Sequence, residues 1–413
     1  MDVEIVTIGD EIVNGLKVDT NSAYIAERLS GAGFNVKYIT SVGDNLPEME
    51  EAFRLALKRV PLVVTTGGLG PTDDDLTKRA IVKVFKRNLI FHDEILEQIK
   101  ARFAARGMEM PPASQNQALL PQGASFFSNQ HGSAVGICLS EQGRIFISLP
   151  GVPLEMKQIL SEEVLPYLAG LHLKQATSFA ILRTTGIGES RLAELIKPGL
   201  KLQPGVRLAY LPSHGSVSLR VAANDETREA ADARAQELVR YLEKCVGKYI
   251  FGTGEDTLEG VVGQLLLDND KTLSVAESCT GGQLGMIITG IPGSSNYFVG
   301  GCLAYANEVK IEQLGVPAEV IESQGAVSEE CALAMAEGCR KRFNTDYALS
   351  VTGIAGPSGG TEDKPVGTTY IGLSSAHTTI AQLYRFGKDR AVNRTRAVYA
   401  ALELLRRDIL DID

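Results

Sequence analysis

Apolar residues fall along this chain in two alternating arrangements, short continuous runs and helical repeats, and that alternation predicts the fold class. Residues 3–8 form an apolar run of strand length, and residues 21–32 place Tyr24, Ile25 and Leu29 on one helical face before Gly31 and Gly33 stop it. Residues 35–40 read as a second strand, 47–59 as a helix opened by Pro47, and 61–66 as a third strand. Such alternation implies a mostly parallel sheet with helices on both faces. The pattern changes near residue 169: strands at 179–184 and 216–222 and helices at 190–196 and 227–245 predict a small α+β module. It returns after a helix at 258–267, with strands at 272–276, 297–305, 347–352, 368–374 and 379–386 and helices between them. The expected architecture is α/β. Two three-layer α/β domains with largely parallel sheets, residues 1–168 and 253–413, are joined by the α+β module of residues 169–252.

Composition narrows the function classes. The 413 residues are 44% hydrophobic, enough for more than one core. A net charge of -9 and a pI near 5.3 argue against general affinity for nucleic acid or an anionic membrane. Cys138, Cys245, Cys279, Cys302, Cys331 and Cys339 show no CxxC or Cys/His metal spacing, so no structural zinc is expected and the thiols fit a reducing compartment. Met1 leads into the first strand without a basic segment and apolar signal region, and no apolar run is long enough to span a bilayer, which makes the cytoplasm the expected location.

Chemistry concentrates where predicted strands end. The first delivers Gly9-Asp10-Glu11 and the third Gly67-Gly68-Leu69-Gly70-Pro71-Thr72-Asp73-Asp74-Asp75. A Gly-Gly-x-Gly turn after a strand either exposes backbone N–H groups to phosphate, with the aspartates holding a divalent cation, or is a tight turn with Asp at a helix cap. No Walker or dinucleotide fingerprint is completed there. In the last part, Ser278 follows the strand at 272–276 and precedes an apolar helix from Gln283, the place for a nucleophile or an N-cap. Gly281-Gly282 lets backbone N–H groups approach a developing oxyanion. The next strand ends in Tyr305-Ala306-Asn307-Glu308-Val309-Lys310, and the one after in Thr352-Gly353-Ile354-Ala355-Gly356-Pro357; parallel strands bring such ends to one edge. With no His nearby, Lys310 is the base within reach for a Ser-Lys pair, its pKa lowered by the first turn of a helix, unless it is an ordinary exposed lysine. Cys279 is either a rival nucleophile or a packed small residue.

The Thr66–Thr72 stretch with Asp75, together with Leu149-Pro150-Gly151-Val152-Pro153-x-Glu155, resembles the molybdopterin-binding domain of molybdenum cofactor biosynthesis proteins. Gly9-Asp10-Glu11 and the Gly-Pro-Thr-Asp-Asp-Asp run resemble the N-terminal domain of the CinA family. The resemblance implies metal-dependent ADP-ribose pyrophosphatase activity, with Asp10, Asp74 and Asp75 as ligands of Mg²⁺, Mn²⁺ or Co²⁺ and Gly67, Gly68, Gly70 and Thr72 around phosphate. The middle module resembles the KH-like insert of that family without its Gly-x-x-Gly loop, since Gly186-Ile187-Gly188 is one residue short, and reads as a spacer or dimer module.

Ala-Glu-Ser-Cys-Thr-Gly-Gly, Tyr-x-Asn-Glu-x-Lys, Gly-Ile-Ala-Gly-Pro-x-Gly-Gly and Lys-Pro-Val-Gly-Thr resemble the C-terminal CinA domain, the nicotinamide mononucleotide (NMN) deamidase family. The resemblance makes Ser278 the nucleophile and Lys310 its general base, with Tyr305 and Thr352 orienting the pair. Arg390 also serves, unless the extra Lys388 passes that role to Arg394. Cys279, Thr280, Gly281 and Gly282 surround the oxyanion, and Gly353, Ala355 and Gly356 cradle the ribose phosphate, with Lys364 beside them. The amidase needs no cofactor, and the partners implied are small nucleotides and a second copy in a homodimer, with no nucleic acid or membrane. The contrasting readings are a pterin- or nucleotide-binding accessory protein and a competence or DNA-damage factor acting through protein contacts.

Overall fold

A computed structural model of the chain describes residues 1–72, 75–105, 107–171, 176–213 and 215–412. They divide into two compact units, Met1–Phe179 with Ala223–Arg234, and Ala180–Ala222 with Ala235–Asp413.

The strands of the first unit are β1 (Asp2–Ile8), β2 (Asn35–Val42), β3 (Leu62–Thr66), β4 (Leu89–Phe91), β5 (Leu119–Pro121), β6 (Ser125–Phe127), β7 (Gly136–Glu141) and β8 (Arg144–Leu149). Six of them form one sheet in the order β2-β1-β3-β8-β7-β6, parallel from β2 to β8 and antiparallel beyond, while β4 and β5 pair separately. Alternation along β1 feeds two cores: Val3 and Ile5 face one, with Ile25 and Leu29, and Val6 and Ile8 face the other, with Phe53 and Phe146. Helices therefore cover both faces, as the sequence predicts. The helix Thr20–Gly31 is capped by Asp19, whose carboxylate accepts from Ser22 N–H, and Leu46–Arg59 by Asn45, which accepts from Glu48 N–H. The antiparallel β7–β8 hairpin lies beyond the predicted pattern, and Gln142 (φ 51°) and Gly143 (φ 75°) close it in the left-handed pair such a turn requires. Because β1, β3 and β8 run parallel, the segments after Ile8, Thr66 and Leu149 leave one edge together.

Four strands, β9 (Ala176–Thr185), β10 (Val206–Pro212), β11 (Ser216–Asp225) and β12 (Ile250–Thr253), form a sheet in the order β10-β11-β9-β12. The C-terminal sheet is β14-β13-β15-β16-β17, from β13 (Leu273–Glu277), β14 (Phe298–Leu303), β15 (Tyr347–Gly353), β16 (Thr368–Ser374) and β17 (Thr379–Arg385). β13 is parallel to β14 and β15, while β16 pairs antiparallel with both β15 and β17, so the sheet is mixed with a parallel part around β13. One face packs Leu273 and Val275 against the helices Leu258–Asp268 and Arg390–Leu410; the other packs Ala276 and Ala348 against Cys331, Met335 and Cys339 of the helix Glu329–Phe343. The parallel triplet delivers Glu277, Leu303 and Gly353 to one edge. Among the described residues, no helix is long and apolar enough to cross a membrane.

Candidate active site

Ser278 stands on the turn between β13 and the helix Gln283–Thr289, but it is not that helix's cap. Gly282 holds the cap position at φ 93°, and Gly281 before it has φ 58°, left-handed conformations that explain the glycine pair. The exposed helix donors are taken by Glu277. Its carboxylate, 1% exposed, accepts from Gly282 N–H (3.0 Å), Leu284 N–H (3.0 Å) and Gly285 N–H (2.8 Å). This corrects the expectation that the whole 279–282 loop offers its N–H groups to an oxyanion. Gly282 donates to Glu277, Gly281 to the Ser278 carbonyl and Ser278 to Val351, whereas the N–H groups of Cys279 and Thr280 have no backbone acceptor among the described residues. The Ser278 hydroxyl makes no hydrogen bond there, although the residue is only 9% exposed.

Lys310 lies on the helix Asn307–Leu314 and is 1% exposed, which removes the surface-lysine reading. Its Nζ donates to the carbonyls of Ala304 (2.8 Å) and Tyr305 (3.1 Å). Burial lowers its pKa from the ordinary value, opposed by Cys331, Cys279 and Glu308, so desolvation rather than the helix dipole is the main cause. No hydrogen bond joins Nζ to the Ser278 hydroxyl; the lysine is within electrostatic reach of Cys279, the next residue. Burial pushes the Cys279 thiol up to about 11 against the pull of Arg390 and Arg394, so it is protonated at neutral pH.

The third strand end meets the start of the long helix. Arg390 Nη1 donates to Gly356 O (2.9 Å) and Nη2 to the Tyr305 hydroxyl (3.2 Å), while Arg394, one turn on, donates twice to Thr280 O (Nε 3.2 Å, Nη2 2.6 Å). Both arginines therefore belong to the constellation. Asn393 between them donates to Ala355 O (3.0 Å) and Gly387 O (2.9 Å), fixing the 353–356 loop. The Thr352 hydroxyl donates to Ala326 O (2.6 Å), and Tyr305, itself exposed, holds Lys310 through its carbonyl. Gly353 is required by packing, since a Cβ there would meet Thr369 Oγ1 at 2.6 Å, and Lys364 donates to Gln324 O (2.6 Å). Sequence reasoning missed Glu277 and Asn393; an acidic residue five positions before a Gly-Gly helix start was the available signal for the first.

In the first unit, Gly67 (φ 113°) and Gly68 (φ 62°) follow β3, and Thr77 fastens the turn by donating its hydroxyl to Gly67 O (2.8 Å). Asn21 bridges two strand ends through Thr66 Oγ1 (3.1 Å) and Gly151 O (2.9 Å). A cleft of about 530 Å³ opens over this edge, lined by Gly67, Gly68, Gly70, Asp44, Asp75 and Glu155 among others. Two of the three aspartates expected as metal ligands, Asp10 and Asp75, also brace loops. Asp75 accepts from Gly70 N–H (2.7 Å), Thr72 N–H (2.8 Å) and the Thr72 hydroxyl, and Asp10 exchanges backbone-to-carboxylate bonds with Asp44, both 3.0 Å. Asp74 lies outside the described residues. Among those described, no three His, Cys, Asp or Glu side chains converge as a metal site.

Residues 4–170 match the family described as probable molybdopterin binding domain, 180–252 the damage-inducible protein CinA KH domain, and 255–409 the CinA C-terminal domain. The chain is 41% identical over 412 residues to a CinA-like protein of Dictyoglomus thermophilum, covering 100% of both. It is 42% identical over 414 residues to a putative competence-damage inducible protein of Halothermothrix orenii, covering 98% of each. A crystal structure of the protein CinA with unknown function from Thermoplasma acidophilum shares 34% identity over 41% of this chain and 97% of that one, with a TM-score of 0.38. With matches of that length in all three parts, the chain belongs to the CinA family.

Proposed function

We propose that residues 253–413 hydrolyse the carboxamide of NMN, giving nicotinate mononucleotide and ammonia. The carrying observation is Lys310: a lysine buried at a sheet edge, held by two carbonyls and shifted toward its neutral form, beside a turn whose serine hydroxyl makes no hydrogen bond among the described residues. Neutral Lys310 takes the Ser278 proton as Oγ attacks the carboxamide carbon, and the C=O electron pair moves onto oxygen. The N–H groups of Cys279 and Thr280 stabilise that oxyanion. When the tetrahedral intermediate collapses, the Lys310 ammonium protonates the departing nitrogen and ammonia leaves an acyl-Ser278 ester. Water, deprotonated by Lys310, then attacks the ester and Ser278 recovers its proton. Arg390, bonded to the 353–356 loop, and Arg394, bonded to the Ser278 turn at Thr280 O, supply positive charge for the nucleotide phosphate.

The test is ammonia release from NMN by the full chain without added metal; none at any enzyme concentration would remove the proposal and leave the accessory reading. Cys279→Ala should retain most of the turnover, because a thiol held near 11 is not the nucleophile. A comparable loss in the cysteine and serine variants would overturn that assignment. Glu277→Gln should lower kcat by about 10²-fold with little change in KM, since the amide cannot replace three carboxylate bonds that fix the Ser278 turn. Stability should also fall by about 2 kcal/mol, read by denaturant unfolding. Unchanged kcat in the folded variant would mean the turn holds without it.

For residues 1–168 we propose ADP-ribose hydrolysis at the diphosphate, supported by the glycine turn opening on the 530 Å³ cleft. Release of AMP and ribose 5-phosphate tests it, and turnover unaffected by chelation would remove the metal requirement. A homodimer and a cytoplasmic setting complete the proposal; the six cysteines are free, as a reducing compartment requires.

A further inference from the structure

We infer that Lys364 is a positioning residue of the amidase site: it anchors the far end of the glycine-rich loop 353–364 and so keeps the loop's N–H groups presented to the substrate phosphate. This rests on reading the site as an NMN amidase. Resemblance placed Lys364 beside the phosphate itself, but its ammonium is engaged by a backbone carbonyl on the other side of the loop.

The anchor is a turn whose consecutive carbonyls are each taken by a different side chain. Between the helices Ala318–Gln324 and Glu329–Phe343, Gln324 O accepts from Lys364 Nζ (2.6 Å), Gly325 O from the Ser328 hydroxyl (2.8 Å) and Ala326 O from the Thr352 hydroxyl (2.6 Å). Gly325 stands at φ 81°, a conformation that favours glycine. Ser328 in turn accepts from Cys331 N–H (3.2 Å), so the turn is fastened to the cap of the second helix. Both ends of the loop reach this one turn: Thr352 as the chain leaves β15, and Lys364 as it approaches β16.

Near its start the loop is also pinned by its carbonyls, Ala355 O by Asn393 and Gly356 O by Arg390. A planar trans peptide points its N–H opposite to its C=O, so the bond from Asn393 to Ala355 O turns the Gly356 N–H away from the long helix. The N–H groups of Ala355, Gly356, Ser358, Gly359 and Gly360 have no acceptor among the described residues, the arrangement that suits an anion. From Pro357 to Asp363 the chain is exposed, and Lys364 is its hold on the protein. A local turn passes that hold back toward the glycines: Thr361 N–H donates to Lys364 O (2.9 Å) and Lys364 N–H to the Thr361 hydroxyl (3.1 Å).

Kinetics of the full chain with NMN as substrate and nicotinamide riboside as a phosphate-free competitor test this. Lys364→Met should raise KM for NMN by about tenfold, the worth of one hydrogen bond, keep kcat within about twofold and leave inhibition by the riboside unchanged. Lys364→Arg, which still donates, should restore most of the loss. Lys364→Gln, one bond shorter than the native side chain, should show the same phosphate-selective loss even if the methionine variant fails to fold. Arg390 and Arg394 remain in every variant, so KM should depend on salt as it does in the unmodified chain; a weakened dependence would make the ammonium a direct phosphate ligand and overturn the positioning role. Equal losses for NMN and the riboside, or no loss in the methionine and glutamine variants, would overturn it as well. Hydrogen exchange separates this role from the amidase reading: NMN should slow exchange over residues 355–360 in the unmodified chain and not in Lys364→Met at the same concentration. That difference without ammonia release keeps the positioning role and removes the amidase, and ammonia release with equal protection in both chains does the reverse.

Discussion

Ser278→Ala should reduce kcat for ammonia release from NMN by about 10⁴-fold or more, the scale on which removing a covalent nucleophile acts when its neighbours depend on it. The folded chain should hardly notice. The Ser278 hydroxyl makes no hydrogen bond among the described residues, so its removal orphans no partner and should change unfolding free energy by about 1 kcal/mol or less. That asymmetry separates this serine from an N-cap, whose loss would destabilise the helix. KM should change little, because Arg390, Arg394 and the 353–356 loop remain as they are. Steady-state kinetics with a thermal melt decide it; retained turnover, or a large fall in melting temperature, would count against the nucleophile. A burst of ammonia in the unmodified enzyme, absent from the variant, would add the acyl-enzyme to the case.

The strands carrying this chemistry were legible because β1, β3, β13 and β15 are buried on both faces and so read as continuous apolar runs. Within each sheet the parallel direction of neighbouring strands puts the motif-bearing ends on one edge. What stayed hidden was burial of charge. Lys310 looks in sequence like any lysine after a strand, and Glu277 like any surface acid, because nothing local says that the helix Glu329–Phe343 closes over one face and the helix Gln283–Thr289 turns its donors inward. The same limit applied to Asp10 and Asp75. Asp10 accepts from Asp44 N–H, far away in sequence, and Asp75 from Gly70 and Thr72 N–H nearby, and neither kind of partner leaves a periodic trace.

Lys310→Met should lower kcat by about 10³-fold and erase the acid limb of its pH profile. General-base assistance supplies about 10²–10⁴-fold in rate, and methionine keeps the stem's apolar volume without the amine. In the unmodified enzyme the base works only when neutral, so kcat should rise with pH through the lysine's folded-state pKa, which burial places below the ordinary value of 10.5. Stability should follow the same group. Between the lowered folded pKa and the unfolded value near 10.4, the unfolded chain holds the proton and the folded chain does not, so unfolding free energy increases with pH across that window; below the folded pKa both states are protonated and the slope vanishes. Lys310→Met should lack this rise, which denaturant melts at stepped pH would register independently of any substrate. A rate profile unchanged in the variant would assign the acid limb elsewhere, and Lys310→Arg, always charged and unable to accept the proton, should be as inactive as the methionine variant if base catalysis rather than positive charge is what the site uses.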